Sequence, residues 1–324
     1  MKPKAYILDW KASPQGDPSC DLENAILGDL VEVIYLQAND TSALPPDVFD
    51  ADAISIWHNF ELDRPFIEKL TRCKVIVRNG AGVDSVDGVA AREHGIPVCN
   101  VPDYGVEEVA DHALSLALAL LRRLFPLDAQ ARRENWNLDD QRPRMKRLNT
   151  LTFGIIGLGR IGTAAAMRAK AFGFDVVFYD PNIPQGMEKS LGIRRERSLP
   201  DLLPQVDVAS IHCPLESSTR HLIGAPELAL MKTTAYLVNT ARGPIVDQAA
   251  LNATLESGGL AGAGLDVVEN EPDLSDADLS APNTIITCHA AFCSTQAVED
   301  IRTKSSHTIR DALEGRDLPS RMNR

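Results

Sequence analysis

The sequence predicts an α/β protein built from two parallel-sheet domains, and three observations carry that prediction. Short aliphatic and β-branched runs alternate with stretches of helical spacing along nearly the whole chain, the order that a parallel sheet needs. At 324 residues, with 44% hydrophobic and 24% charged content, the chain is long enough for two separate cores and has an ordinary globular composition. One of the alternating units opens on Phe153-Gly154-Ile155-Ile156-Gly157-Leu158-Gly159-Arg160-Ile161-Gly162, an apolar strand running into a G-x-G-x-x-G turn.

Strands are expected in the first hundred residues at Ala5–Asp9, Glu32–Leu36, Ala53–Trp57, Lys74–Arg78 and Pro97–Cys99. Helical spacing falls between them, at Cys20–Gly28, Arg64–Leu70 and Val86–His94. A long helix from Val106 to about Leu124 follows, then a polar stretch to Thr150. Its run Ala113–Leu121 is apolar nearly all round, which predicts burial between domains or subunits. Beyond the glycine turn, helical sequence spans Thr163–Phe172 and a strand spans Asp175–Tyr179. Further strands are expected at Val206–His212, Ala235–Asn239, Gly262–Asp266 and Thr284–Thr287, with helices at Leu228–Met231 and Gln248–Leu255. The final helix, about Gln296 to Leu313, belongs to a tail too short to fold alone and is expected to return to the first domain.

Strand, glycine turn, helix, second strand and terminal acid stand in the order of a dinucleotide-binding βαβ unit. Gly157 permits the tight turn, Gly159 lets backbone approach a pyrophosphate, and Gly162 lets helix pack on strand. The helix start at Arg160 and Ile161 offers unpaired N–H groups to the phosphates. Asp180, 23 residues beyond Gly157, can accept both ribose hydroxyls. It would repel a 2′-phosphate, and Pro181-Asn182-Ile183 supplies no neutralising arginine, so NAD is expected over NADP. The plainer alternative is that Asp180 merely caps the turn at Pro181.

A net charge of −12 and a pI near 5.1 argue against generalised nucleic-acid binding. The N-terminus shows no signal-peptide core, and no apolar run reaches the ~20 residues that a membrane span needs. The six cysteines form no C-x-x-C pair, which predicts reduced thiols and a cytoplasmic protein. Cys288, His289 and Cys293 lie close in sequence, yet no fourth ligand stands at metal spacing, so no metal site is expected.

Ligands of parallel sheets bind beyond the carboxyl ends of the strands. Three polar residues follow such ends: Arg242 in Asn239-Thr240-Ala241-Arg242-Gly243, Glu271 in Glu269-Asn270-Glu271-Pro272, and His289 in Thr287-Cys288-His289-Ala290-Ala291. A guanidinium can clamp a carboxylate and polarise the adjacent ketone. An imidazole held by a carboxylate can give its proton to the carbonyl oxygen as hydride arrives at carbon. Trp57, His58, Asn59 and Phe60 follow a first-domain strand and are expected to form a partly apolar substrate pocket, with Phe292 opposite.

With these motifs and Asn79-Gly80-Ala81-Gly82-Val83-Asp84, the chain resembles the D-isomer-specific 2-hydroxyacid dehydrogenase family. Tyr179-Asp180-Pro181, Val98-Cys99-Asn100-Val101-Pro102 and His289-Ala290-Ala291-Phe292 make it most similar to the C-terminal-binding-protein branch. The resemblance implies two Rossmann-like or flavodoxin-like domains with an interdomain cleft: residues 1–102 plus 291–324 for substrate, and residues 103–290 for NAD. It implies catalytic places for Arg242, Glu271 and His289, with Asp266 holding the nicotinamide carboxamide. His212, Cys213, Pro214, Thr240, Ala241, His289 and Ala291 would line the cofactor. Gly80, Ala81 and Gly82 would offer N–H groups to the substrate carboxylate, with Arg78 as a second cation. A homodimer using the helix near Leu114–Leu121 is also implied. The expected reaction interconverts a 2-oxoacid and a D-2-hydroxyacid. The alternative is an NAD(H)-responsive adaptor or corepressor of the same branch, with little turnover.

The chain departs from the family pattern at Val109, where relatives often have a threonine or serine contacting the cofactor phosphates, at Cys288, which replaces the proline that commonly precedes the catalytic histidine, and at Phe292. Phe292 replaces a tryptophan of the nearest branch, which changes substrate fit. Glu271 stands where formate dehydrogenases have glutamine, which argues against formate.

Overall fold

The computed structural model describes residues 2–12, 14–58, 60–274 and 278–324; Asn59 lies outside them. The chain divides into two compact units, Met1–Gly105 with Cys293–Arg324, and Val106–Phe292.

The first unit alternates β1 (Lys4–Trp10), α1 (Asp21–Leu27), β2 (Glu32–Ala38), β3 (Ala53–Ile56), α2 (Arg64–Ile67), β4 (Ile76–Arg78), α3 (Gly88–Glu93) and β5 (Val98–Cys99). All pairings are parallel and the order is β2-β1-β3-β4-β5, the flavodoxin-like winding. Ala53–Ile56 is buried on both faces, as helix-covered parallel strands are. Asp63 and Asp87 start α2 and α3 by accepting the N–H groups of Phe66 and Ala90.

The second unit opens with α4 (Val106–Leu121) and α5 (Leu124–Arg132), and then winds β6 (Thr152–Ile156), α6 (Arg160–Ala171), β7 (Asp175–Tyr179), α7 (Met187–Leu191) and β8 (Arg194–Glu196). It continues through α8 (Leu199–Leu202), β9 (Val208–Ile211), α9 (Ala225–Leu230), β10 (Tyr236–Asn239), α10 (Gln248–Glu256), β11 (Gly262–Leu265) and β12 (Thr284–Ile286). The seven strands run β12-β11-β10-β9-β6-β7-β8, all parallel. The order reverses between β6 and β9, the switch point at which doubly wound sheets bind ligands.

The last helix, α11 (Thr295–Leu313), is capped by Ser294 and packs on α1 of the first unit. It buries Ala297, Ile301, Ser305, Ser306 and Ile309, a stripe along one face. Arg302 forks onto the buried Glu23, Nε and Nη2 each 2.7 Å from a carboxylate oxygen. Arg310 reaches Asp29 at 2.8 Å.

Three expectations need correction. The apolar run of α4 is buried within its own unit, on α6, β10 and β11, in a cluster with Phe153, Ile155 and Val238; no second domain or subunit is needed to explain it. The polar stretch after α4 contains α5, because Arg123 turns the chain at φ 55° and a new helix starts. β8 escaped notice because Arg194-Arg195-Glu196 is an edge strand with charged residues and no apolar run.

Candidate active site

The glycine turn takes the form its spacing predicts. Gly157 has φ +93°, and a Cβ there would lie 2.6 Å from the backbone nitrogen of Cys213, where β6 and β9 diverge. A Cβ on Gly162 would meet Gly157 O at 2.0 Å, so this helix can approach the turn only without a side chain. At Gly159 nothing lies within 4 Å. Gly159 N-caps α6 without a side-chain cap, so the N–H groups of Arg160 and Ile161 remain for a ligand. Asp180 closes β7, its Oδ2 accepting from Leu158 N at 2.8 Å and its Oδ1 from Asn182 N at 2.8 Å. Each oxygen retains acceptor capacity.

Two buried polar atoms without partners stand at neighbouring strand ends, His212 Nδ1 after β9 and Thr240 Oγ1 after β10. His212 Nε2 is 2.9 Å from Ser210 Oγ, and burial pushes the imidazole down to about 4, keeping it neutral. Burial also raises the Cys213 thiol to about 11. Orphaned buried groups are costly and rare; here they stand at the ends of β9 and β10, on one side of the glycine turn, which fits a bound dinucleotide. Pro214 is exposed and Ala241 half-buried.

β10, β11 and β12 are adjacent and parallel, so their carboxyl ends lie side by side about 4.8 Å apart. Arg242 follows β10 in a turn pinned by Asn239, whose Oδ1 accepts from Ala241 N and whose Nδ2 donates to Arg242 O. The Arg242 Nη1 donates to Ala241 O at 2.7 Å. Glu271 follows β11; its Oε2 accepts from Val268 N at 3.3 Å and its Oε1 lies 2.7 Å from His289 Nδ1. The Glu271 and His289 side chains are each 22% exposed, shielded yet open on one side. A carboxylate only accepts, so Nδ1 carries the shared proton. Phe292 packs edge-on to the His289 ring at 6.3 Å.

Asp266, 1% exposed, accepts from Ala290 N and Ala291 N at 2.9 Å each and from Thr287 Oγ1 at 2.5 Å. Oδ2 carries one of these bonds and keeps a lone pair for a carboxamide N–H. The sequence shows Thr287 only as the end of a strand; its hydroxyl meets Asp266 only once β12 is laid beside β11.

In the first unit, Gly80 has φ +145°, its carbonyl accepts from Val101 N, and Ala81 O accepts from Asn100 Nδ2 at 2.6 Å. Arg78, 7% exposed, folds its Nη1 onto Asn79 O. Gly82 and His58 are half-buried. Trp57 and Phe60 are each 1% exposed and Phe60 belongs to the unit's apolar core, so neither ring lies open as a pocket wall.

Strand order and glycine turn define the second unit as a dinucleotide-binding domain, with a paired imidazole and carboxylate at its strand ends. The chain belongs to the D-isomer specific 2-hydroxyacid dehydrogenase family, whose NAD binding domain matches residues 114–291. It is 35% identical over 324 residues to C-terminal-binding protein 1 of Caenorhabditis elegans, covering 97% of this chain and 44% of the relative. It is 36% identical over 299 residues to D-3-phosphoglycerate dehydrogenase of Methanocaldococcus jannaschii, covering 92% and 57%. The chain thus spans about half the length of the curated relatives it matches. The D-lactate dehydrogenase of Aquifex aeolicus, solved with NAD and lactic acid, superposes with a TM-score of 0.86 at 29% identity over 96% of both chains. NAD is therefore the cofactor of the second unit. Among the described residues, no helix is long and apolar enough to cross a membrane.

Proposed function

We propose that the protein is an NAD-dependent oxidoreductase that interconverts a small 2-oxoacid and a D-2-hydroxyacid. The observation that carries this reading is the 2.7 Å contact between His289 Nδ1 and Glu271 Oε1 at the strand ends of an NAD-binding domain. Bound NADH supplies hydride to C2 of the substrate. Gly157, Gly159 and Gly162 leave room for the pyrophosphate, Arg160 and Ile161 present backbone N–H groups, and Asp180 accepts from the ribose. His212 and Thr240 offer their unpartnered atoms, and Asp266 takes the carboxamide. Arg242 clamps the substrate carboxylate and polarises its ketone through a planar fork. His289 holds a proton on Nε2 for the carbonyl oxygen, while Glu271 keeps Nδ1 protonated and stabilises the charged ring. In the first unit, Gly80, Ala81 and Gly82 offer backbone N–H groups, and Arg78 a cation, to a carboxylate.

A panel of 2-oxoacids followed by loss of NADH absorbance tests the reading, repeated with NADPH and with Arg242→Ala. Turnover of at least one acid with NADH, abolished in the variant while NADH still binds, is expected. Equal NADH oxidation by parent and variant with every acid would remove Arg242 from its role.

The similarity to C-terminal-binding protein 1 favours a second reading, an NAD(H)-responsive adaptor. Capture of short hydrophobic acidic peptides without turnover of any 2-oxoacid would support it over the enzyme. We also propose a cytoplasmic homodimer. Exposed Leu124, Phe125, Trp136 and Leu138, all in the segment after α4, support coverage by a second copy; sedimentation at micromolar concentration tests it.

A further inference from the structure

The turn that presents His289 is held by a chain of groups reaching back to α4. His289 itself adopts φ +54°, an uncommon conformation for a residue with a side chain, which persists only where the surroundings enforce it. The enforcing residue is Asp266. Its carbonyl accepts from His289 N at 2.8 Å, and its carboxylate accepts from Ala290 N and Ala291 N. Three consecutive backbone donors therefore converge on one buried residue.

What aims that carboxylate comes from elsewhere in the unit. Thr287 Oγ1 donates to Asp266 Oδ1 at 2.5 Å, and His112 Nε2, from the second turn of α4, lies 2.9 Å from the same hydroxyl. A hydroxyl has one proton. With that proton on Asp266, Thr287 can only accept from His112, so the imidazole presents Nε2–H. The His112 Nε2 also stands 3.7 Å from Asp266 Oδ1, behind the hydroxyl and on the same side. A single line runs from His112 through Thr287 and Asp266 to the backbone of residues 289–291.

We propose that His112 is a positioning residue for His289: by donating Nε2–H to Thr287 it fixes the orientation of the Asp266 carboxylate, and through it the turn that directs the imidazole. The proposal rests on the reading of His289 as proton donor, and it assigns His112 no contact with substrate. Removing the donor leaves the Thr287 hydroxyl free to rotate, and a misdirected acid group lowers the chemical step while substrate capture by Arg242 is untouched.

Three variants separate positioning from packing. His112→Gln keeps an N–H donor near the Nε2 position, His112→Phe keeps a ring without one, and Thr287→Val removes the bridging hydroxyl. The expected result is a loss of about ten-fold in kcat for the Phe and Val variants, KM for the 2-oxoacid little changed, and most of the rate restored in Gln. A second readout needs neither cofactor nor turnover. In apoprotein labelled uniformly with nitrogen-15, with the His289 signals identified by their loss in His289→Gln, the His289 ring and the Ala290 and Ala291 amide resonances should move in Phe and Val and stay in place in Gln. Parental kcat and unmoved His289 resonances in both Phe and Val would overturn the proposal. So would a Gln variant as impaired as Phe, which would make His112 a packing residue. If the parent turns over no 2-oxoacid, the enzymatic reading fails on its own and the resonance shifts still decide whether His112 positions the turn.

Discussion

Replacing Glu271 by glutamine changes almost no volume and removes one charge, yet the local geometry forbids a neutral exchange. Glu271 accepts on both oxygens, from His289 Nδ1 at 2.7 Å and from Val268 N at 3.3 Å. An amide has one acceptor. If its oxygen faces His289, its NH2 faces the Val268 N–H, donor against donor. If it flips, the NH2 faces Nδ1 and drives the imidazole to the opposite tautomer, with the resting proton on Nε2 and no carboxylate to stabilise the charged ring. A hydrogen bond to a charged group contributes about 1.5–3 kcal/mol, so Glu271→Gln should lower kcat/KM by roughly 10- to 100-fold. The assay is NADH oxidation with the best 2-oxoacid of the panel, beside NADH affinity and the thermal transition of each form. NADH affinity should change little, because the loss falls on the chemical step, whereas the thermal transition should fall by a few degrees as the folded state loses an acceptor. Unchanged kcat/KM in a folded, NADH-binding variant would refute the role given to this carboxylate.

His212 predicts a stability effect with a defined sign. Its folded-state value, about 4, lies below the ordinary 6.5, so the unfolded chain binds the extra proton; the contribution is complete above pH ~6.5 and is lost as pH falls toward 4. Urea unfolding at pH 7.5 and pH 5 should show the parent losing up to about 2 kcal/mol more than His212→Asn over this range, and equal losses would exclude His212 as the source. Gly162→Ala puts a methyl 2.0 Å from Gly157 O; it should destabilise the second unit by about 2 kcal/mol and weaken NADH binding, and unaltered affinity in a fluorescence titration would contradict the close approach. Arg302→Ala leaves Glu23, whose side chain is 7% exposed, as a buried charge without its fork. A loss of about 3 kcal/mol is expected in urea unfolding, largely recovered by pairing Arg302→Met with Glu23→Leu; no recovery would show that the pair is more than mutually compensating.

Much of this architecture was legible because its signals are local. Gly157-Leu158-Gly159-Arg160-Ile161-Gly162 states its turn through conformations only glycine adopts freely, and Asp180 falls at a fixed distance along the same unit. Buried parallel strands such as Tyr236–Asn239 read as short apolar runs since both faces are covered. β8 and α5 were not legible for the converse reason: Arg194-Arg195-Glu196 pairs on one side only, and α5 buries no residue. Trp57 and Phe60 are buried, and an aromatic after a strand reads alike in the sequence whether it faces a ligand or a core.

The amino-acid order by itself determined the two alternating α/β runs, the phosphate-binding turn and the identities of the three polar strand-end residues, all properties of neighbours along the chain. Only the tertiary structure brought Glu271 onto His289 and His112 onto Thr287, the latter pair 175 residues apart. Hydrogen bonds act over about 3 Å, and distances of that size between remote residues are set by strand order and helix packing, which no local pattern encodes.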